Sequence, residues 1–238
     1  MMLRALLLLA LQGPLALSAI ASGAAAAPCG AAPTGTLASS PAPRADERGQ
    51  RVTESRMAAL PVNPAETLLV GDSIFDFWRS AAADLGQPVT NFGVGGDRTE
   101  NVLDRIDRAD FPRDAFRRVV LLIGTNNLGR DDACAILGGI AAIVERLHRR
   151  LPRAEVVVVS ILPRGPGLRR RLEDIEAVNQ TLVRDQAAMR IRFVDAFTPF
   201  VQACAGQEKC GLLPDRLHPG PDGYRLLGAS IAAALDGR

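Results

Sequence analysis

An apolar run ends in Gly71-Asp72-Ser73, within the stretch TLLVGDSIFDFW at residues 67–78. A serine placed just after a glycine, at the end of a buried strand, has two readings. One is an N-cap, because a serine oxygen accepts well from the exposed amides of a helix start. The other is a nucleophile held at a strand-to-helix corner. A nucleophile of this kind needs a base, and the chain has two histidines. His148 lies in ERLHRRLP, near the end of a charged helical stretch, where it has an ordinary structural role beside a helix C-terminus. His218 lies in LLPDRLHPGPDGY, three residues after Asp215. That spacing puts a carboxylate and an imidazole on one side of a turn. The carboxylate then fixes one ring nitrogen and leaves the other to take the serine proton. Taken alone, DRLH is also a polar surface turn. Ser73 at its corner, with no other base to serve it, favours the catalytic reading.

Acyl transfer also needs donors for the negative oxygen that develops on the carbonyl. The loop Gly93-Val94-Gly95-Gly96 brings backbone N–H groups close to a reacting atom, because glycine tolerates tight approach. Asn126, after a third apolar run, offers a side-chain amide, and the Ser73 N–H is a third donor. The same loop is not a dinucleotide fingerprint, since Arg98 stands where the third glycine of G-x-G-x-x-G belongs. No Walker-type Gly-Lys-Ser/Thr is present. Two histidines exclude a His-rich metal site, and none of the four cysteines has metal-site spacing with them. No cofactor is expected.

These residues must be positioned by a scaffold. Strands are expected at 67–70, 89–92, 118–123, 155–161 and 191–194. Several are near-continuous β-branched or leucine runs, which suit parallel strands covered on both faces. Helical patterns lie near 74–84, 98–107, 131–150, 170–189 and 221–236. Alternation of this kind predicts an α/β fold with an open, doubly wound parallel five-stranded sheet. Ligands of such sheets gather beyond the carboxyl ends of the strands. Gly71-Asp72-Ser73, the glycine loop, Gly124-Thr125-Asn126-Asn127 and Pro163-Arg164-Gly165 all follow strands.

Residues 1–21 carry Arg4, a leucine-rich run and then small residues, the order of a secretory signal. Pro14 and Gln12 interrupt that run, so no stable membrane span is expected in the mature form. Residues 22–50 are rich in Ala, Pro, Ser and Gly and read as a flexible tether. Residues 51–60 read as a short helix leading in, and 51–238 as one catalytic domain. The protein is therefore expected to be exported, periplasmic or secreted. Anchoring through a lipid on Cys29 is a minor alternative, which Pro28 fits badly. In that compartment Cys204 and Cys210 are the expected disulfide, and the pairing of Cys29 and Cys134 stays open. The 28 basic and 26 acidic residues nearly balance, and no basic patch is interleaved with aromatics. Nucleic acid is not an expected partner. Phe75, Phe77 and Trp78 either line a substrate pocket or form the core face of the helix after Ser73.

GDSIFDFW, NFGVGGDRTENVLDRI, LIGTNN and DRLH occur in the order and approximate spacing of the four blocks of SGNH/GDSL hydrolases. NFGVGGD, GTNN and ILPRG are similar to the branch of platelet-activating-factor acetylhydrolase-like subunits and related bacterial acyl esterases. The resemblance spans about residues 50–236. It implies a flavodoxin-like three-layer α/β/α sandwich with no metal or cofactor. It also implies Ser73 as nucleophile, His218 as base, Asp215 as its orienting partner, and Ser73, Gly96 and Asn126 as the oxyanion hole. Many members have Gly-x-Asn-Asp in the third block, where this chain has Asn127 in place of the aspartate; the branch it resembles also reads Asn-Asn. The expected substrate is a short-acyl or lysophospholipid-type ester. A carbohydrate O-deacetylase is the alternative within enzymes, and a non-catalytic binding domain the alternative outside them. Acyl length, leaving group and oligomeric state are not readable from the sequence.

Overall fold

A computed structural model describes Cys29 and residues 33–60, 64–112 and 114–235. The expected signal, 1–21, and tether residues 22–28 and 30–32 lie outside the described residues. Five strands, β1 (Thr67–Gly71), β2 (Val89–Gly93), β3 (Arg118–Leu122), β4 (Glu155–Val159) and β5 (Arg192–Val194), form one sheet in the order β2-β1-β3-β4-β5. Every pairing is parallel, with Gly71 opposite Gly93 on one side and Leu122 on the other. The order reverses at β1, so the crevice of the topological switch opens beside the end of that strand.

The central strands are apolar throughout because alternate residues feed two different cores. Leu68, Val70, Val119, Leu121, Val156 and Val158 pack under α4 (Thr99–Arg108), α5 (Ala133–Arg150) and α6 (Leu172–Asp185). Leu69, Val120, Leu122, Val157 and Val159 face the other way. They meet α2 (Ser73–Asp76), α3 (Ala81–Asp84), α7 (Phe197–Ala203) and α8 (Pro221–Leu235). Burying each such leucine or valine stabilises the fold by about 1.5–3 kcal/mol. The result is the expected three-layer α/β/α sandwich.

Three expectations need correction. The single helix predicted over 74–84 is two short ones, α2 and α3. The Trp78 indole N–H and the Ser80 hydroxyl both donate to Asp84 Oδ2, at 2.7 and 2.6 Å, and the chain turns between the two helices to let them. Helix α7 was not foreseen, because Pro199 sits inside it. Proline is tolerated there in the first turn, where its missing N–H would have no helical partner.

The third correction concerns the tether. Residues 33–50 are held against the domain, although their composition reads as flexible. Ala38 is fully buried in a 3-10 turn, Leu37–Ser39. The Ala42 N–H donates to the Glu100 carbonyl at 3.0 Å, and the Asn101 amide donates to the Ala42 carbonyl at 3.0 Å. Helix α1 (Glu47–Ala59) begins four residues before the expected start, capped by Asp46, which accepts from the Gly49 N–H at 2.8 Å. Small residues that signal flexibility in isolation also permit close backbone packing. A Cβ on Gly139 of α5 would lie 2.5 Å from the Ala38 carbonyl oxygen. A disulfide from Cys29 to Cys134, on α5, fastens the same segment. A sulfur held in that bond cannot at the same time carry a lipid thioether. Cys204 and Cys210 form a second disulfide.

Candidate active site

Strand β1 delivers the site. It ends at Gly71, where a Cβ would stand 2.3 Å from the Leu122 carbonyl oxygen, so only glycine lets β1 and β3 run this close. Asp72 then turns the chain, and its Oδ1 accepts from the Ile74 N–H at 3.0 Å. The helix cap is therefore Asp72, and the Ser73 hydroxyl is left for another partner. That partner is His218, whose Nε2 lies 2.8 Å from Ser73 Oγ. On the far side of the ring, Nδ1 lies 2.6 Å from Asp215 Oδ2.

The loop before α8 holds the imidazole and the carboxylate together. Asp215 Oδ1 accepts from the backbone N–H groups of Leu217 and His218, at 3.0 and 2.7 Å. Arg216 between them takes a left-handed conformation, φ +67°, which folds the turn back on itself. Burial alone would raise the Asp215 carboxyl, but the hydrogen bonds from His218 and Leu217 outweigh it and keep it below the usual carboxylate range. Tyr224 of α8 donates its hydroxyl to the Ile74 carbonyl at 2.9 Å, which ties the helix that follows the His218 loop to the one carrying Ser73.

The glycine loop and Asn126 complete the cleft. Ser73, Gly95, Gly96, Asn126, Phe77 and His218 all line one depression of about 340 Å³. Gly96 has φ +82°, a conformation that L side chains rarely adopt. One amide hydrogen of Asn126 goes to the Asp97 carbonyl at 2.8 Å, which orients the group and leaves its second hydrogen for a ligand. A larger depression, about 410 Å³, lies between α6 and α7 near Phe197 and Cys204; it contains neither Ser73 nor His218.

Beneath the glycine loop is a fully buried ion pair, Arg105 with Asp97. Arg105 also donates to the carbonyls of Gly71 and Phe92, at 3.2 and 3.0 Å, where β1 and β2 end. Asp76 accepts from the Gly95 N–H at 3.1 Å and is paired with Arg56, which also donates to the Gly93 carbonyl. Arg164, of the ILPRG stretch, donates to the Thr125 carbonyl at 2.6 Å and so braces the strand end beside Asn126. Asn127 explains the change from aspartate. Its oxygen accepts from the Thr99 N–H at 3.0 Å while its nitrogen donates to Thr99 Oγ1 and Asp131, a two-sided role that a carboxylate cannot fill.

Of the three aromatics read as either pocket lining or core face, Phe77 borders the cleft. It is 41% exposed, with its ring 5.2 Å from that of His218. Phe75 and Trp78 are buried in the core, where Trp78 stacks on Tyr224 at 5.5 Å. Phe75 and Trp78 are three residues apart and share the face turned to the sheet, while Phe77 lies between them and turns outward. His148 is remote from the cleft and meets the Met189 carbonyl at 3.2 Å. The supporting roles of Arg44, Arg56, Asp76 and Arg105 were missed; all depend on contacts between distant parts of the chain, and no local motif marks them. Among the described residues, no cluster of three or more His, Cys, Asp or Glu is arranged to hold a metal. No helix of the described residues is long and apolar enough to cross a membrane.

A parallel three-layer sandwich with a hydroxyl, an imidazole and a carboxylate in line at its switch point defines a class, the acyl hydrolases built on this sheet. The chain belongs to the GDSL-like lipase/acylhydrolase family, whose model matches residues 69–226. It is 37% identical over 146 residues to human platelet-activating factor acetylhydrolase IB subunit alpha1, covering 58% of this chain and 62% of that one. It is 32% identical over 166 residues to the bovine alpha2 subunit, covering 67% and 71%. The chain thus spans about three-fifths of the alpha1 relative's own length. A structure from Streptococcus pneumonia, solved under the heading of platelet activating factor, superposes with a TM-score of 0.70 at 26% identity, covering 79% of this chain and 93% of that one.

Proposed function

We propose that the protein is an exported serine esterase acting on short-acyl or lysophospholipid-type esters. The observation that carries this is the continuous chain from Ser73 Oγ through His218 to Asp215, at 2.8 and 2.6 Å. Ser73 attacks the ester carbonyl as His218 Nε2 takes its proton. Asp215 keeps the ring in the tautomer that accepts, and steadies the imidazolium. The Ser73 and Gly96 N–H groups and the free hydrogen of Asn126 Nδ2 hold the oxyanion. The intermediate collapses as His218 protonates the leaving alcohol, and water releases the acid through a second round. A short acyl group is favoured because Phe75 and Trp78 are withdrawn into the core and Phe77 alone of the three borders the cleft.

The mature protein should cleave p-nitrophenyl acetate, and Ser73→Ala should lose this activity entirely. Equal rates for the two proteins would sink the proposal. A panel adding lysophospholipid and acetylated oligosaccharide sorts the substrate class. Acetate release from the oligosaccharide alone would replace the lipid-ester reading with an O-deacetylase.

A further inference from the structure

The segment before residue 60 lies outside the stretch matched by the family, yet it reaches into the cleft. Arg44 Nη1 donates to the Gly95 carbonyl at 2.6 Å and to Asp97 Oδ1 at 3.1 Å. Its Nε donates to Asp46, the cap of α1, at 2.9 Å. The guanidinium lies in a slot between two glycines. A Cβ on Gly49 would stand 2.8 Å from its Cζ, and one on Gly96 would stand 3.1 Å from Nη1. Side chains at either position would push it out.

The Gly95 carbonyl and the Gly96 N–H are two ends of one peptide plane, and the peptide is trans, so they point in opposite directions. A donor fixed on the carbonyl therefore fixes where the N–H points. Between two glycines such a plane is otherwise free to rotate, since neither neighbour has a Cβ to restrict it. A charged donor on the carbonyl also polarises the amide and strengthens its N–H as a donor. From this geometry we infer that Arg44 is a positioning residue for the esterase, one that sets the orientation of the Gly95–Gly96 peptide and so aims an oxyanion donor. The segment around it is thus a working part of the site. The inference rests on the esterase reading above.

The test uses the full mature chain, with p-nitrophenyl acetate as substrate and a phenylboronic acid as a tetrahedral probe of Ser73. Arg44→Ala should lower kcat about 10- to 100-fold, the scale on which misplaced catalytic groups act, with KM changed less than about twofold. Affinity for the boronic acid should fall by a similar factor. Arg44→Lys should recover part of both losses, since its ammonium reaches one acceptor but lacks the planar fork. A kcat and boronate affinity within about twofold of wild type in Arg44→Ala would overturn the inference. Should Arg44→Ala not fold, Gly49→Ala decides. It leaves the glycine loop itself unchanged and drives a methyl toward the Arg44 guanidinium and the Asp46 carboxylate that holds it, so kcat should fall, while an unchanged kcat would overturn the inference. Arg51→Ala, an exposed helix position paired with Glu47, serves as the control. Ser73→Ala assayed in parallel separates the two ideas, because activity persisting there defeats the esterase reading whatever Arg44 does.

Discussion

The carboxyl of Asp72 has one oxygen on the Ile74 amide and the other, fully buried, without a hydrogen-bond partner. Burial raises its pKa to about 7, with the nearby Asp97 adding to the effect and Arg164 and Arg105 opposing it. In the unfolded chain the same group titrates near ~3.9. Between those values the folded state holds a proton that the unfolded state has released. The stability this contributes is complete below the unfolded pKa, and it is lost as pH rises through the folded one. Asp72→Asn keeps the cap oxygen and removes the titration. Its melting temperature should therefore change less between pH 5 and pH 8 than that of the wild type, and the two proteins should diverge in favour of the variant at the higher pH. Parallel curves in differential scanning calorimetry would refute this. At this scale legibility divides by distance along the chain. Asp215 and His218 were readable because their partnership is made within one turn. Ser73 was readable as one of two things, and the choice was made by Asp72, which took the cap. Arg44 and Arg105 were not readable, since a guanidinium gives no local sign of which carbonyl, dozens of residues away, it will meet.

The elements were legible where burial leaves an unbroken mark. Residues such as 119–122 and 156–159 are apolar on both faces because both faces are covered. Where an element is set by one contact, the pattern misleads. The break between α2 and α3 depends on Trp78 and Ser80 sharing Asp84, and the early start of α1 depends on the cap at Asp46. The approach of the N-terminal segment to α5 belongs here too. Gly139 is a helix-interior glycine, where alanine would ordinarily add up to about 1 kcal/mol of helix stability. Here the added methyl would meet the Ala38 carbonyl oxygen and Thr99 Oγ1, both at 2.5 Å. Gly139→Ala should thus be destabilising by about 1–3 kcal/mol, as overpacked sites are. Urea unfolding should give a lower midpoint at unchanged slope, and a raised midpoint would show that the segment yields freely.

Over the whole molecule, the two disulfides close loops of very different size, with sequence separations of 105 and 6. Chain entropy assigns about 4.7 kcal/mol to the first and about 2.2 kcal/mol to the second. Replacing Cys29 and Cys134 by serine together should lower the melting temperature more than replacing Cys204 and Cys210. Equal shifts would mean that the N-terminal segment adheres without its staple. The larger loop encloses β1, β2 and β3, and the groups argued to act in concert are drawn from both sides of it. On the proposed reading the nucleophile stands at residue 73, the base at 218 and the clamp on the glycine loop at 44. A chain emerging from the ribosome presents its serine long before the base that would arouse it. On the proposed mechanism the hydroxyl is an ordinary serine until residue 218 has been made and has folded back, so the site is among the last parts of the molecule to be completed.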